Sequence, residues 1–305
     1  HLVVLEDLQR ADEETRVALA TLAERVADAS VLLLVTERVE AGGGLWQAPD
    51  LHRIPLAPLV ERDERRILDL LLGPDASLDP LKSVLAERTG GNPLYLEESV
   101  RDLIDAGLLA GEEGAFRFLG RLQTLRIPGS VKDVIASRID RLQARLIPPL
   151  QTAAVVGRRF TRDVLAALLE EGGEGLAAAL AELEERGFVH PVTGGDDHAW
   201  AFRHALIQEV AYQGLLRHRR RELHARVVGV IEGLHPDRLV EHVDELAEHA
   251  LAGQLWDRAA RYRLMSCKAA IERSASRQAV ATFDRALETF DQMPRDQTIA
   301  KASID

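Results

Sequence analysis

The residues best placed to do chemistry are Glu6 and Asp7, a carboxylate pair that directly follows the apolar run Leu2-Val3-Val4-Leu5. An apolar run ending in two acids reads as a buried strand that delivers carboxylates to the edge of a parallel sheet. In a nucleotide hydrolase such a strand carries the Walker B acids. One acid holds Mg²⁺, usually through water, and the next polarises the attacking water. By register, Glu6 takes the magnesium and Asp7 orients the water. The plainer reading is a strand end that happens to carry acids. A second apolar run, Val31–Val35, ends in the polar tip Thr36-Glu37-Arg38. The phosphate loop that accompanies such acids, G-x-x-x-x-G-K-[ST], occurs nowhere in the 305 residues.

Other strings are specific enough to weigh. Glu87-Arg88-Thr89-Gly90-Gly91-Asn92-Pro93-Leu94-Tyr95-Leu96-Glu97-Glu98 is a helix stop, a tight turn and a proline-started helix. Phe202-Arg203-His204-Ala205-Leu206-Ile207-Gln208-Glu209-Val210-Ala211-Tyr212 places one histidine at the start of a helical run. Arg217-His218-Arg219-Arg220-Arg221 is a basic run that reads first as a solvated helix face, then as a contact for an acidic neighbouring domain. His242 and His249 are seven apart and read as surface residues on one helix face. No Ser/His/Asp constellation, CxxC or HExxH spacing stands out.

The elements that must hold these residues follow from punctuation and period. Strand Leu2–Leu5 leads to a helix from Ala11-Asp12-Glu13-Glu14 to about Ala29, then to strand Val31–Val35. Arg53–Leu56 reads as a third short strand after a Gly42-Gly43-Gly44 loop. Strands separated by a helix imply parallel crossovers. From Val60 the pattern is helical: Glu61–Leu72 stops at Gly73-Pro74, Leu81–Arg88 stops at Gly90-Gly91, and Pro93 opens a helix to about Ala106. Gly107–Leu125 reads as a β-hairpin. Beyond Pro128-Gly129 come helices at Val131–Leu142, Leu150–Val156, Arg162–Glu170 and Leu176–Arg186. Phe188-Val189-His190 and Trp200-Ala201-Phe202 then flank a Gly194-Gly195-Asp196-Asp197 turn, which makes helices plus a two-stranded wing. His204–Gly233 is helical again. Past His235-Pro236, Trp256/Ala259/Tyr262 and Ala279/Phe283/Ala286 have the small-and-aromatic spacing of stacked helix hairpins.

Composition excludes several classes. The chain is 46% hydrophobic, 29% charged and only 4% aromatic, which suits a helix-rich globular protein. A formal charge of −11 argues against a whole-chain nucleic-acid binder. The stretch where a recognition helix would lie, Ala177–Glu185, carries Glu182, Glu184 and Glu185, which repel phosphate. The single cysteine, Cys267, excludes an internal disulfide framework, fits a reducing cytoplasm and reads as a small core residue. No apolar run approaches membrane-spanning length.

Taken together, these strings resemble the regulatory ATPase and tetratricopeptide region of large bacterial adenylate/guanylate cyclase proteins, a STAND/AAA-type signalling module. Leu8-Gln9-Arg10-Ala11-Asp12-Glu13 resembles the family's Walker B block, with Gln9 and Arg10 in place of the usual His and Trp. The resemblance implies a mainly α chain in four segments. Residues 1–57 would be the C-terminal part of a P-loop NTPase α/β core that lacks its P-loop, and 58–128 a helical lid with a hairpin. Residues 129–234 would be a winged helix, and 235–305 the start of tetratricopeptide-like repeats. The chain has no initiator Met and opens inside a strand, so the expectation is a fragment of a larger ATPase.

The resemblance also implies roles. Arg38 takes the place of a sensor arginine near the γ-phosphate, with an exposed loop arginine as the alternative. Asn92 and Pro93 belong to the lid segment whose proline region packs on adenine. His204 is either a phosphate sensor or a structural histidine bonded to the backbone. The implied cofactors are ATP/ADP and Mg²⁺. The implied partners are an effector domain in the same polypeptide, a cyclase first, and an inducer at the repeats. Relatives carry LuxR-type or kinase effectors. The other readings are a protein-binding scaffold with a vestigial ATPase core, and an ATP-dependent LuxR-type regulator.

Overall fold

The computed structural model describes residues 1–11, 13–26, 29–38, 51–170, 174–192 and 199–272. These residues are mainly α-helical and divide into two compact units, one holding His1–Ala57 and the stretch from Cys267, the other Pro58–Ser266.

In the first unit β1 (Leu2–Leu5) pairs in parallel with β2 (Leu32–Val35), Leu2 opposite Leu32 and Leu5 opposite Val35, with α1 (Glu13–Val26) between them in sequence. The strand expectation holds, but its burial does not. Leu2 is 62% exposed and Leu32 65%, because among the described residues the sheet has two strands and nothing is packed over those side chains. Among its described residues, Leu8 and Leu19 form a small buried nucleus, with Leu5, Ala23 and Val35 against it. Arg53–Leu56 is no strand: it joins none of the sheets among the described residues, and Ile54 and Leu56 are exposed. Pro55 removes the amide that a ladder would need. The Gly42-Gly43-Gly44 loop, Ala27 and Asp28 lie outside the described residues, and Ala29, the expected helix end, is in a turn.

The second unit opens with α2 (Glu61–Leu72), α3 (Asp79–Thr89) and α4 (Pro93–Asp105) around a leucine-rich core of Leu68, Leu72, Leu81, Leu85, Leu96 and Leu103. α2 ends where Gly73 takes φ 104°, and α4 begins at Pro93 behind an Asn92 cap. β3 (Leu109–Ala110) and β4 (Arg117–Phe118) form the expected hairpin and lay Phe116 into that core.

A larger core then runs continuously through α5 (Val131–Asp140), α6 (Ile147–Val156), α7 (Arg162–Leu169) and α8 (Glu174–Glu185). Its sheet has three strands, not two. β5 (Arg159–Thr161) joins β6 (Val189–Pro191) and β7 (Ala199–Phe202) in the order β5-β7-β6, all antiparallel. The wing turn at Gly194–Asp197 lies outside the described residues. His204–Gly233 is two helices, α9 (Ala205–Gln213) and α10 (Arg217–Leu234), broken at Gly214. α11 (Val243–Ala252) and α12 (Trp256–Glu272) complete the same core through Leu246, Ala250, Ala259 and Tyr262. Of the tetratricopeptide-like spacing at Trp256/Ala259/Tyr262, Ala259 and Tyr262 are buried in this core and Trp256 is half-buried, while Ala279/Phe283/Ala286 lie outside the described residues. No described helix is long and apolar enough to cross a membrane.

Candidate functional site

Parallel pairing places the carboxyl ends of β1 and β2 at the same edge. Glu6 and Asp7 on one strand and Thr36, Glu37 and Arg38 on the other are therefore brought together. Thr36 N–H donates to Leu5 O at 2.9 Å and Leu8 N–H donates to Thr36 O at 2.9 Å, which continues the pairing past the strands. Asp7 sits in the left-handed region, φ 58° and ψ 46°, a conformation Asp tolerates better than most residues. Its N–H donates to Thr36 Oγ1 at 3.0 Å. Gln9 Nε2 donates to Asp7 Oδ1 at 3.1 Å, and Arg38 N–H donates to Gln9 Oε1 at 3.1 Å. Glu6 and Arg38 are exposed, Asp7 is half-buried, and Glu37 pairs with Arg16 at 3.9 Å. Such an edge, at the carboxyl ends of parallel strands, is where open α/β sheets receive ligands.

In the second unit Asn92 Oδ1 accepts the Tyr95 N–H at 3.1 Å and caps α4, with Pro93 in the first turn. The preceding turn is clamped. Gly91 N–H donates to the buried carboxylate of Glu64 at 2.7 Å, and Leu59 N–H donates to Gly91 O at 2.8 Å. A Cβ on Gly91, whose φ is +77°, would stand 2.6 Å from Leu59 O. His204 caps α9: its Nδ1 accepts the Leu206 N–H at 3.1 Å. The basic run is solvated as expected, apart from Arg220, which lies over the Tyr212 ring at 4.9 Å and donates to Leu215 O.

Two clusters escaped sequence reasoning. Arg138 is only 1% exposed. It binds Glu98 and Asp105 of α4, donates to Arg186 O and lies 4.5 Å over the Phe188 ring. It thereby ties the three-helix segment to the winged segment, and Arg141–Asp102 and Arg186–Asp105 flank it. The spacing of Glu98, Asp102 and Asp105 down one face of α4 was the available signal.

The other cluster corrects the expectation for His249. It is buried, not a surface residue, and His242 belongs to a preceding 3₁₀ turn, where it faces Glu245 and stacks on His235. His249 Nδ1 lies 2.8 Å from His224 Nδ1, and His224 Nε2 lies 3.0 Å from Tyr212 Oη. His249 also hydrogen-bonds the backbone of Val156. One proton arrangement satisfies every partner: Tyr212 donates to His224, His224 donates to His249, and His249 donates to the backbone. Both imidazoles are neutral in it. Burial, then the Arg220 charge, pushes His224 down to about 4. Burial, then His224, pushes His249 down to about 4.

No protein-family model matches the chain. Among curated proteins it is similar to an uncharacterised protein of Rhizobium meliloti (strain 1021), 29% identical over 302 residues, covering 97% of this chain and 29% of that protein. Among solved structures it is similar to a Signal Transduction ATPase with Numerous Domains (STAND) protein with a tetratricopeptide repeat sensor from Pyrococcus horikoshii. The TM-score is 0.52 at 12% identity, over 95% of this chain and 43% of that chain. The fold is shared. The chain spans less than half the length of either protein.

Proposed function

We propose that this chain is part of a signal-transduction ATPase that works as an ATP/ADP-dependent switch. The observation that carries the reading is the shared edge, where parallel pairing sets Glu6, Asp7 and the backbone of Arg38 side by side. The fold likeness to the STAND protein with a tetratricopeptide repeat sensor supports it.

The residues at this edge fit the magnesium side of a nucleotide site. Glu6 offers an exposed carboxylate, the hard oxygen donor that Mg²⁺ takes. Mg²⁺ bound there would neutralise phosphate charge. Asp7, held by Gln9, would orient water, and Arg38 would meet the γ-phosphate with a permanent charge. The residues that cradle the phosphates have no counterpart in the 305 residues.

In this reading ADP favours a closed state and ATP an open one, and output follows the differential affinity of the two nucleotides for those states. An effector domain in the same polypeptide, a nucleotide cyclase first, would carry the output. The helix pair α11–α12 would begin the surface that receives a protein or small-molecule inducer.

The test is Asp7→Asn in the whole protein. The substitution keeps the shape and removes the charge, so kcat should fall by roughly tenfold or more while nucleotide affinity stays within about threefold. Weakened binding with kcat spared would make Asp7 the metal ligand and displace the assignment by one residue.

A further inference from the structure

Gln9 uses both ends of its side-chain amide, and each end reaches a residue of the proposed site. The orientation of that amide is decided by its partners. The Arg38 N–H can only donate, so Oε1 must face it, which turns Nε2 toward Asp7 Oδ1. Asp7 meanwhile is held by its own N–H on Thr36 Oγ1, in a left-handed turn that aims its side chain back at Gln9. The result is a closed circuit from the end of β1 to the end of β2: Asp7 carboxylate, Gln9 amide, Arg38 backbone. The other charged side chains described at this edge are Glu6, Glu37 and Arg16, with Arg16 near Leu8 O at 3.4 Å.

We propose that Gln9 is a positioning residue that couples the water-orienting carboxylate of Asp7 to the backbone carrying Arg38. The proposal rests on the ATPase reading of this edge. Gln9 touches neither nucleotide nor water in this scheme and acts through its two neighbours. It fixes one oxygen of Asp7, so the carboxylate presents the other in one direction. It also fixes the backbone from which the guanidinium of Arg38 extends. A side chain in this place needs one donor and one acceptor on the same rigid group. Glutamine provides both at every pH, and a neutral imidazole provides both as well. A protonated imidazole offers only donors, a carboxylate offers only acceptors, and leucine offers neither.

The experiment compares Gln9→Leu, Gln9→Glu and Gln9→His by two readouts: amide hydrogen exchange at Arg38 in this chain, and ATP turnover with nucleotide affinity in the whole protein. Gln9→Leu should speed exchange at Arg38 about tenfold and lower kcat by roughly ten- to a hundredfold with affinity nearly unchanged. Gln9→Glu keeps an acceptor for Arg38 but turns a carboxylate on Asp7, so exchange protection should persist while kcat falls. Gln9→His should match the wild type at pH 8 and lose both protection and turnover below about pH 6.5, a limb the wild type lacks. Unchanged Arg38 exchange and unchanged kcat in Gln9→Leu would overturn the proposal, as would a Gln9→His profile parallel to the wild type. Absence of turnover in the wild-type whole protein would overturn the ATPase reading instead, and Arg38 exchange would still decide whether the bridge exists.

Discussion

Acid should unfold this protein through a site that no acidic residue occupies. The His224–His249 pair is held neutral by burial, with each imidazole pushed down to about 4 from an ordinary 6.5. The unfolded chain therefore takes up protons before the folded one, and stability is fully present above about pH 6.5 and lost as pH falls toward about 4. Keeping one buried imidazole neutral over that interval corresponds to about 3 kcal/mol. The second proton must enter beside the first, 2.8 Å away, so the pair loses at least as much as a single site. The assay is urea unfolding of this chain, followed by circular dichroism at pH 7.5, 6.5, 5.5 and 4.5. The reference is the double variant His224→Phe/His249→Leu. The wild type should lose about 1.4 kcal/mol or more per pH unit below 6.5 relative to that reference. Parallel pH dependences in the two proteins would show that the histidine pair does not set the acid limb.

Two structural predictions accompany it. Arg138→Met should destabilise the chain by about 3–5 kcal/mol in urea unfolding, because it strands the buried carboxylates of Glu98 and Asp105. Adding Glu98→Gln should recover part of that loss, and a double mutant as unstable as the single would show that the charge was not the problem. Gly91→Ala should cost more than Gly107→Ala. Both glycines have positive φ, but a Cβ at 107 meets open space while one at 91 strikes the Leu59 backbone and the Pro58 ring. Differential scanning should show a loss of roughly 1–3 kcal/mol at 91 beyond that at 107.

Much of the architecture was legible because glycine and proline punctuate it. Glu61–Leu72 was bounded to the residue by Gly73, and the α4 start was marked by Asn92 and Pro93. What failed shares a physical cause. β5 is three residues squeezed between Gly157 and the cap of α7, too short to show a period of two. The break at Gly214 falls where the apolar pattern runs on through Leu215 and Leu216. Arg53–Leu56 has the letters of a strand but joins none of the described sheets, and pairing is not a local property. Among site residues, the gathering of Glu6, Asp7 and Arg38 followed from two parallel strand ends. The bridging by Gln9, the burial of His249 and the clamp on Arg138 depend on contacts across 25 to 40 residues or more, which no spacing rule encodes.

The role proposed for this edge is to supply the acids of an ATP site, and the 305 residues hold no phosphate-loop string. Its most direct test is Mg²⁺-dependent ATP turnover by the purified chain and by the whole protein, measured side by side. The expected result is hydrolysis by the whole protein, suppressed by Asp7→Asn, and none by the isolated chain. Metal-dependent turnover by the isolated chain, or turnover in the whole protein indifferent to Asp7→Asn, would contradict it.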